Sequence, residues 1–175
     1  MSQPTTNLKL RAEQPRDVPA IREVLLAAFG QCGEANLVDA LRQSGGLTLS
    51  AVALRDDRLV GYIAFSPVVV ERDGGGKQAL ALAPVAVRPD CQRQGIGATP
   101  IHWALAECKR MGHGLIIVLG HSEYYPRFGF VPARKFGIEC PFSAPSEAFM
   151  VAELLPGALN GCRGTVRYRP EFQLA

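Results

Sequence analysis

The stretch CQRQGIGATPIHW, from Cys91 to Trp103, sets Gly95 and Gly97 one residue apart, between an apolar run and a helical pattern. Glycine has no Cβ, so the backbone there can approach a partner closely and take dihedrals closed to other residues. A strand, a short glycine loop and a helix start together make an anion site. The free N–H groups of a helix's first turn point outward, and the helix dipole favours negative charge beside them. Two glycines also allow successive N–H groups to turn inward as a nest. Arg88 and Arg93 flank the loop with positive charge. The natural ligand is a phosphate or diphosphate. The plainer reading is a turn, because glycines often follow strands for that reason alone.

Two familiar phosphate loops do not fit. The loop of nucleotide hydrolases needs Gly-Lys-Ser/Thr, whereas Gly97 is followed by Ala98-Thr99. The dinucleotide fingerprint needs a third glycine where Pro100 stands, and an acidic residue about twenty positions on, where LIIVLG is apolar.

The elements that must position this loop are legible on both sides. NLKLRAEQ alternates briefly, as a first strand does. A first helix follows in RDVPAIREVLLAAFG, with Asp17 as N-cap, Pro19 in the first turn and Ile21, Val24, Leu25 and Ala28 on one face. EANLVDALRQSGG repeats the pattern and stops at Gly45-Gly46. LTLSAVALRDDRLVGYIAFSPVVVER reads as a hairpin turning at Asp56-Asp57, and DGGGK, Asp73 to Lys77, as a loop. QALALAPVAV is apolar on both faces, as a central strand is. Pro84 removes one ladder donor within it, so the strand must bulge or part from a neighbour there. From Ala98 the helical period returns, with Ile101, Ala104, Leu105, Cys108 and Met111 as the buried stripe and Gly112 as the stop. GLIIVLG is a short buried strand and SEYYPRFG a turn or short helix. Further strands are expected near Phe130–Glu139, near Ala148–Leu155 and in GTVRYRPEF. The plan is α/β, a mixed β-sheet flanked by helices.

LAPVAVRPDCQRQGIGATPI resembles the acetyl-CoA-binding motif of the GNAT superfamily of N-acetyltransferases, and Gln92-Arg93-Gln94-Gly95-Ile96-Gly97 matches that motif in full. A second landmark of the family is a tyrosine shortly before Gly-Phe. EYYPRFGF supplies it, with Tyr125 four residues ahead of Gly129-Phe130 and Arg127 at the usual basic position. The resemblance covers about residues 8–155, and the tail 156–175 is similar to that of a bacterial branch of the superfamily. It implies a single GNAT domain over 1–175, with the GNAT acyl-CoA N-acyltransferase fold as a core and a C-terminal extension.

The resemblance also implies roles. Val85, Ala86 and Val87 would offer backbone groups to the pantetheine arm of acetyl-CoA. The N–H groups from Arg93 through Gln94, Gly95, Ile96, Gly97 and Ala98 to Thr99 would hold the diphosphate, with Arg127 nearby. Pro100 departs from the family's usual residue but forfeits only its own N–H. Tyr125 takes the place of the family's proton donor to the leaving thiolate. Its alternative role is packing with Tyr124, Phe128 and Phe130, and Tyr124 is the more natural packing residue of the two.

Acetyl transfer to an amine also needs a base, because a lysine-like amine has a pKa of about 10.4 and is charged at neutral pH. The strand ALALAPVAV carries no carboxylate. The base candidates are therefore Glu34, at the start of the second helix, His121, just after IIVLG, and Glu123, close in sequence to Tyr125. The activity implied is direct transfer of the acetyl group of acetyl-CoA to an amine on a small molecule or peptide. An acyl-CoA-binding sensor without turnover is the alternative, favoured by the missing strand carboxylate.

Composition narrows the classes further. The chain has 175 residues, 47% of them hydrophobic, and a net charge of +3. That charge suits an anionic small ligand but is too mild, and the basic residues too dispersed, for nucleic acid. No apolar run is long enough to span a bilayer, and the first residues lack a signal-peptide pattern. The five cysteines are scattered, with no C-x-x-C pair, which argues for reduced thiols, no metal and a cytoplasmic setting. Alkylation of Cys91, just ahead of the loop, is expected to hinder the cofactor. A homodimer is compatible with this reading.

Overall fold

The computed structural model describes residues 7–175. A mixed sheet forms its centre. Strand β1 (Leu8–Ala12) pairs antiparallel with β2 (Leu49–Arg55), and β2 with β3 (Arg58–Arg72). β3 runs antiparallel to β4 (Gly75–Val87), which is parallel to β5 (Leu115–Leu119). Two short strands, β6 (Val131–Pro132) and β7 (Ile138–Glu139), precede β8 (Phe149–Glu153) and β9 (Gly164–Arg167). β8 joins β5 and β6, while β9 bridges the far end of β3 to β7. The long β3 is thus covered by β2 along one half and by β9 along the other.

Three helices dress the two faces. Helix α3 (Ala98–Arg110) buries Ile101, Ala104, Leu105 and Cys108 against Ile63, Phe65, Leu80, Ile116 and Val118. On the opposite face, α1 (Val18–Phe29) and α2 (Gly33–Ser44) pack Ile21, Val24, Leu25 and Val38 against Val52, Tyr62, Ala64 and Ala86. Strand alternation explains the division, since successive residues of β3 point to opposite faces. Beside α1 and α2, a third cluster joins Val68, Val70, Ile117 and Val151 to Cys162 and Val166, so residues after 155 share the sheet's core.

The turns follow local chemistry. Asp56 and Asp57 both take positive φ, 52° and 62°, as a two-residue turn matched to the strand twist demands. Arg72 pairs with Gly75, so the expected Asp73–Lys77 loop shrinks to Asp73-Gly74. Opposite Ala64 the β3–β4 register shifts, from Leu82 facing Phe65 to Val85 facing Ile63. Ala83 and Pro84 form that bulge, at the proline that cannot donate to the ladder.

Three expectations need correction. Asp17 stands at the N-cap position of α1, but its side chain does not cap that helix. It accepts two bonds from Arg11, at 2.6 and 2.9 Å, and one from the Gln14 amide at 2.7 Å, which ties β1 to the helix entry. Met111 lies past the last turn of α3 and is 43% exposed rather than buried. The strand expected over Phe130–Glu139 is broken into β6 and β7 by a 3₁₀ turn, Ala133–Phe136, where Pro132 lacks a donor and Gly137 turns at φ 72°.

Candidate active site

β4 and β5 share only two registered pairs, Leu80 with Ile116 and Ala81 with Ile117. Beyond them the strands part. β4 continues to Val87, still paired with β3 through Ile63, Tyr62 and Gly61. Among the described residues, Leu82 to Val87 have no strand partner on the β5 side. Parallel sheets are normally closed on both sides, and such an opening is where a ligand can add itself to the ladder.

The glycine loop lies at the end of that edge. Gln92 Nε2 donates to the Val87 carbonyl at 3.0 Å, and Gln94 Nε2 to that of Asp90 at 3.2 Å. Arg55 donates to Gln94 Oε1 at 2.7 Å and to Cys91 Sγ at 3.0 Å. Ile96 is 2% exposed and joins Ala53, Val60 and Cys91 in a small core, so its side chain pins the loop. Arg93 and Gly95 take positive φ, 62° and 77°. With those dihedrals the amides from Arg93 to Ala98 make no hydrogen bond among the described residues, and Thr99 makes only a 3.5 Å bond to Gly95. This row of free donors at the head of α3 is an anion cradle. A Cβ on Gly97 would lie 3.2 Å from the Tyr124 hydroxyl and 3.7 Å from Val87, so Tyr124 walls the loop.

The flanking charges sort differently from expectation. Arg88 is engaged elsewhere: its Nε donates to the Leu59 carbonyl at 2.9 Å, and it lies 3.5 Å from Glu23. Arg127 sits over the Tyr124 ring, 4.5 Å from its centroid, and donates to the Tyr124 carbonyl. Cys91 is fully buried beneath Arg55, so the expectation that a thiol reagent there would hinder a ligand is withdrawn.

A cavity of about 370 Å³ opens where β4 and β5 part. Leu82 to Val85 line one side and Leu119, Gly120 and His121 the other. Tyr125, Glu34 and His121 all reach it, so three candidate residues from distant parts of the chain meet in one space. Glu123 is not among its lining residues. The Tyr125 ring lies flat against Gly120, where a Cβ would come within 2.3 Å of it, and packs edge-on to Phe130 and Tyr124. Burial pushes its phenol up to about 12, with Tyr124 adding to the shift. The hydroxyl therefore stays protonated and ready to donate at neutral pH. Glu34, in the first turn of α2, accepts from Gln31 Nε2 at 3.3 Å to each oxygen.

Sequence reasoning missed half the cavity. Phe29, Phe142, Tyr168 and Phe172 line it as well. Tyr168 packs against Phe142 and Phe172, both at 4.9 Å between ring centroids. Only the cluster of aromatics in the tail hinted at them, and no spacing rule links residues 29, 142 and 168.

A parted parallel pair leading into a free-amide loop and a helix start can take an extended ligand that ends in a diphosphate. The Acetyltransferase (GNAT) family profile matches residues 18–130. The chain belongs to the GNAT family. It is 37% identical over 164 residues to the uncharacterized N-acetyltransferase YhbS of Escherichia coli K12, covering 93% of this chain and 97% of that one. The crystal structure of E. coli YhbS in complex with CoA superposes with a TM-score of 0.91 at 35% identity, over 99% of this chain and 96% of that one. A GNAT acetyltransferase from Brucella melitensis in complex with acetyl-CoA gives 0.78 at 35% identity, over 95% and 99%. The expected fold is that of the GNAT acetyltransferases. Among the described residues no three His, Cys, Asp or Glu side chains gather as a metal site, and no helix is long and apolar enough to cross a membrane.

Proposed function

We propose that this chain transfers the acetyl group of acetyl-CoA to an amine by direct attack. One observation carries the reading: the β4 edge without a β5 partner borders the cavity at Leu82–Val85 and leads along the chain to the loop's free amides. The two crystallised GNAT relatives, one holding CoA and the other acetyl-CoA, support it. In this reading Val85, Ala86 and Val87 receive the pantetheine arm. The amides from Arg93 to Thr99 receive the diphosphate, beside the α3 dipole. Gln94 shapes the loop, Ile96 anchors it, and Arg127 braces Tyr124 at its wall. Bound acetyl-CoA supplies the thioester; every other task falls to the protein.

Tyr125 donates the proton that the departing sulfur takes, and its packing holds the hydroxyl at the cavity. Glu34 and His121 are the groups placed to receive the amine's proton, directly or through water. Residues 156–175 belong to the same unit, since β9 pairs with β3 and Tyr168 and Phe172 line the cavity.

Calorimetry with CoA and acetyl-CoA tests the first half. A ligand at about 100 times its Kd stabilises the fold by about 2.7 kcal/mol, which a thermal melt also reads. Thiol release with an amine panel tests the second. Absence of CoA binding by folded protein overturns the reading. Binding without thiol release from any amine favours the sensor.

A further inference from the structure

The wall of the cavity is more specific than its location. Phe142, Tyr168 and Phe172 pack in sequence at 4.9 Å between centroids, the first pair tilted and the second edge-on, and Phe29 lines the same cavity. Phe29 and Phe142 remain 39% and 42% exposed, so two large rings keep apolar surface open at the cavity. Glu34 is the one acidic side chain among the residues that line the cavity. Gln31 meets it only through 3.3 Å bonds, so the carboxylate keeps capacity for a further donor. The α2 N-terminus favours its negative charge.

We infer that the acceptor is a small monoamine with an aromatic or branched apolar body. Its ammonium docks on Glu34 and its body lies against the Phe142–Tyr168–Phe172 cluster. The inference rests on the acetyl-transfer reading above and names the substrate class of that same site. Three considerations select the class. The volume lies at the low end of the ~300–1,000 Å³ of small-molecule sites, which suits one ring and a short chain. Apolar burial against four aromatic side chains rewards a ring and not a polyol. A polyamine or an aminoglycoside would bring a second ammonium to a wall whose one acidic side chain, Glu34, is already taken by the first. Glu34 in this role is a docking group, and the proton passes to His121, which lines the same cavity.

The test uses the whole chain with phenethylamine, its uncharged isostere phenethyl alcohol, spermidine and a lysine-rich peptide. Binding of each to the CoA-loaded protein is read by calorimetry, and acetylation by thiol release. Phenethylamine should bind and be acetylated at least about tenfold more efficiently, in kcat/KM, than spermidine or the peptide. Glu34→Gln should weaken phenethylamine about tenfold, mainly through KM, and leave phenethyl alcohol unchanged. Phe142→Ala, at a 42% exposed position and checked for folding by urea unfolding, should raise the KM for phenethylamine while the Kd for CoA stays put. Preference for spermidine or the peptide overturns the inference, as does failure of phenethylamine to bind the CoA-loaded protein. A fall in kcat at constant KM in Glu34→Gln overturns the docking role. Loss of CoA binding by the wild-type chain would instead strike the acetyl-transfer reading itself, so the two failures are distinct.

Discussion

Gly120→Ala adds one methyl group at the exit of β5 and tests how tightly Tyr125 must be held. The new Cβ would stand 2.3 Å from Tyr125 Cε2, 3.0 Å from Cδ2 and 3.3 Å from Cζ. Ordinary contact begins near 3.4 Å, so the ring must retreat by about 1 Å or the strand end must give. The ring has little room, because Phe130 and Tyr124 pack edge-on at 5.6 and 5.2 Å between centroids. A displacement of about 1 Å at a proton donor costs on the order of 100-fold in rate. Overpacking should cost about 1–3 kcal/mol of stability. Gly97 and the β4 edge are untouched, so CoA affinity should hold. The assay is single-turnover thiol release with the best amine of the panel, beside urea unfolding and CoA calorimetry. The decisive control is Tyr125→Phe, which keeps the ring and removes the hydroxyl; general acid loss is worth about 10²–10⁴-fold. If Gly120→Ala acts by moving that hydroxyl, its effect should nearly vanish in the Tyr125→Phe background. Full single-turnover activity of folded Gly120→Ala refutes the placement argument, and multiplicative effects in the double variant refute the route through the hydroxyl.

Other perturbations probe the loop, the frame and the thiols. Gly97→Val sets branched carbon between the Tyr124 hydroxyl, 3.2 Å from the new Cβ, and the free amides, and should abolish CoA binding in calorimetry with the fold intact. Asp17→Asn removes the charge that Arg11 and the Gln14 amide hold, and should cost about 2 kcal/mol in urea unfolding. The Arg11 guanidinium holds the Asp17 carboxyl below the usual carboxylate range against the opposing pull of burial. Its stabilisation is therefore complete above about pH 4 and lost as pH falls through the lowered value, a loss that Asp17→Asn should remove. Iodoacetamide should label exposed Cys32 quickly in native protein and leave Cys108 unlabelled, because burial pushes that thiol up to about 12, with the Glu107 charge adding to the shift.

Local chemistry determined a good deal of this molecule. Asp56-Asp57 and Gly45 dictate turns by their own backbone preferences, and the stripe from Ile101 to Cys108 dictates a buried helix face. Pro84 dictates a break in a ladder wherever its strand lies, because no neighbour can supply the missing N–H. The glycine loop was legible for the same reason: its positive dihedrals at Arg93 and Gly95 and the head of α3 are contiguous in sequence, so its row of free amides is a short-range property. Tertiary structure alone decided the rest. Whether Glu34, His121 and Tyr125 face one cavity depends on where β4 and β5 part, and that depends on pairings between residues more than thirty positions apart. The direction of Arg88, the burial of Cys91 under Arg55 and the break of the sixth strand were settled by partners distant in sequence or by competing local turns. The aromatic wall is the extreme case. Phe29, Phe142, Tyr168 and Phe172 obey no common period, and they become one surface only when the segment after β9 folds back over the open seam of the sheet.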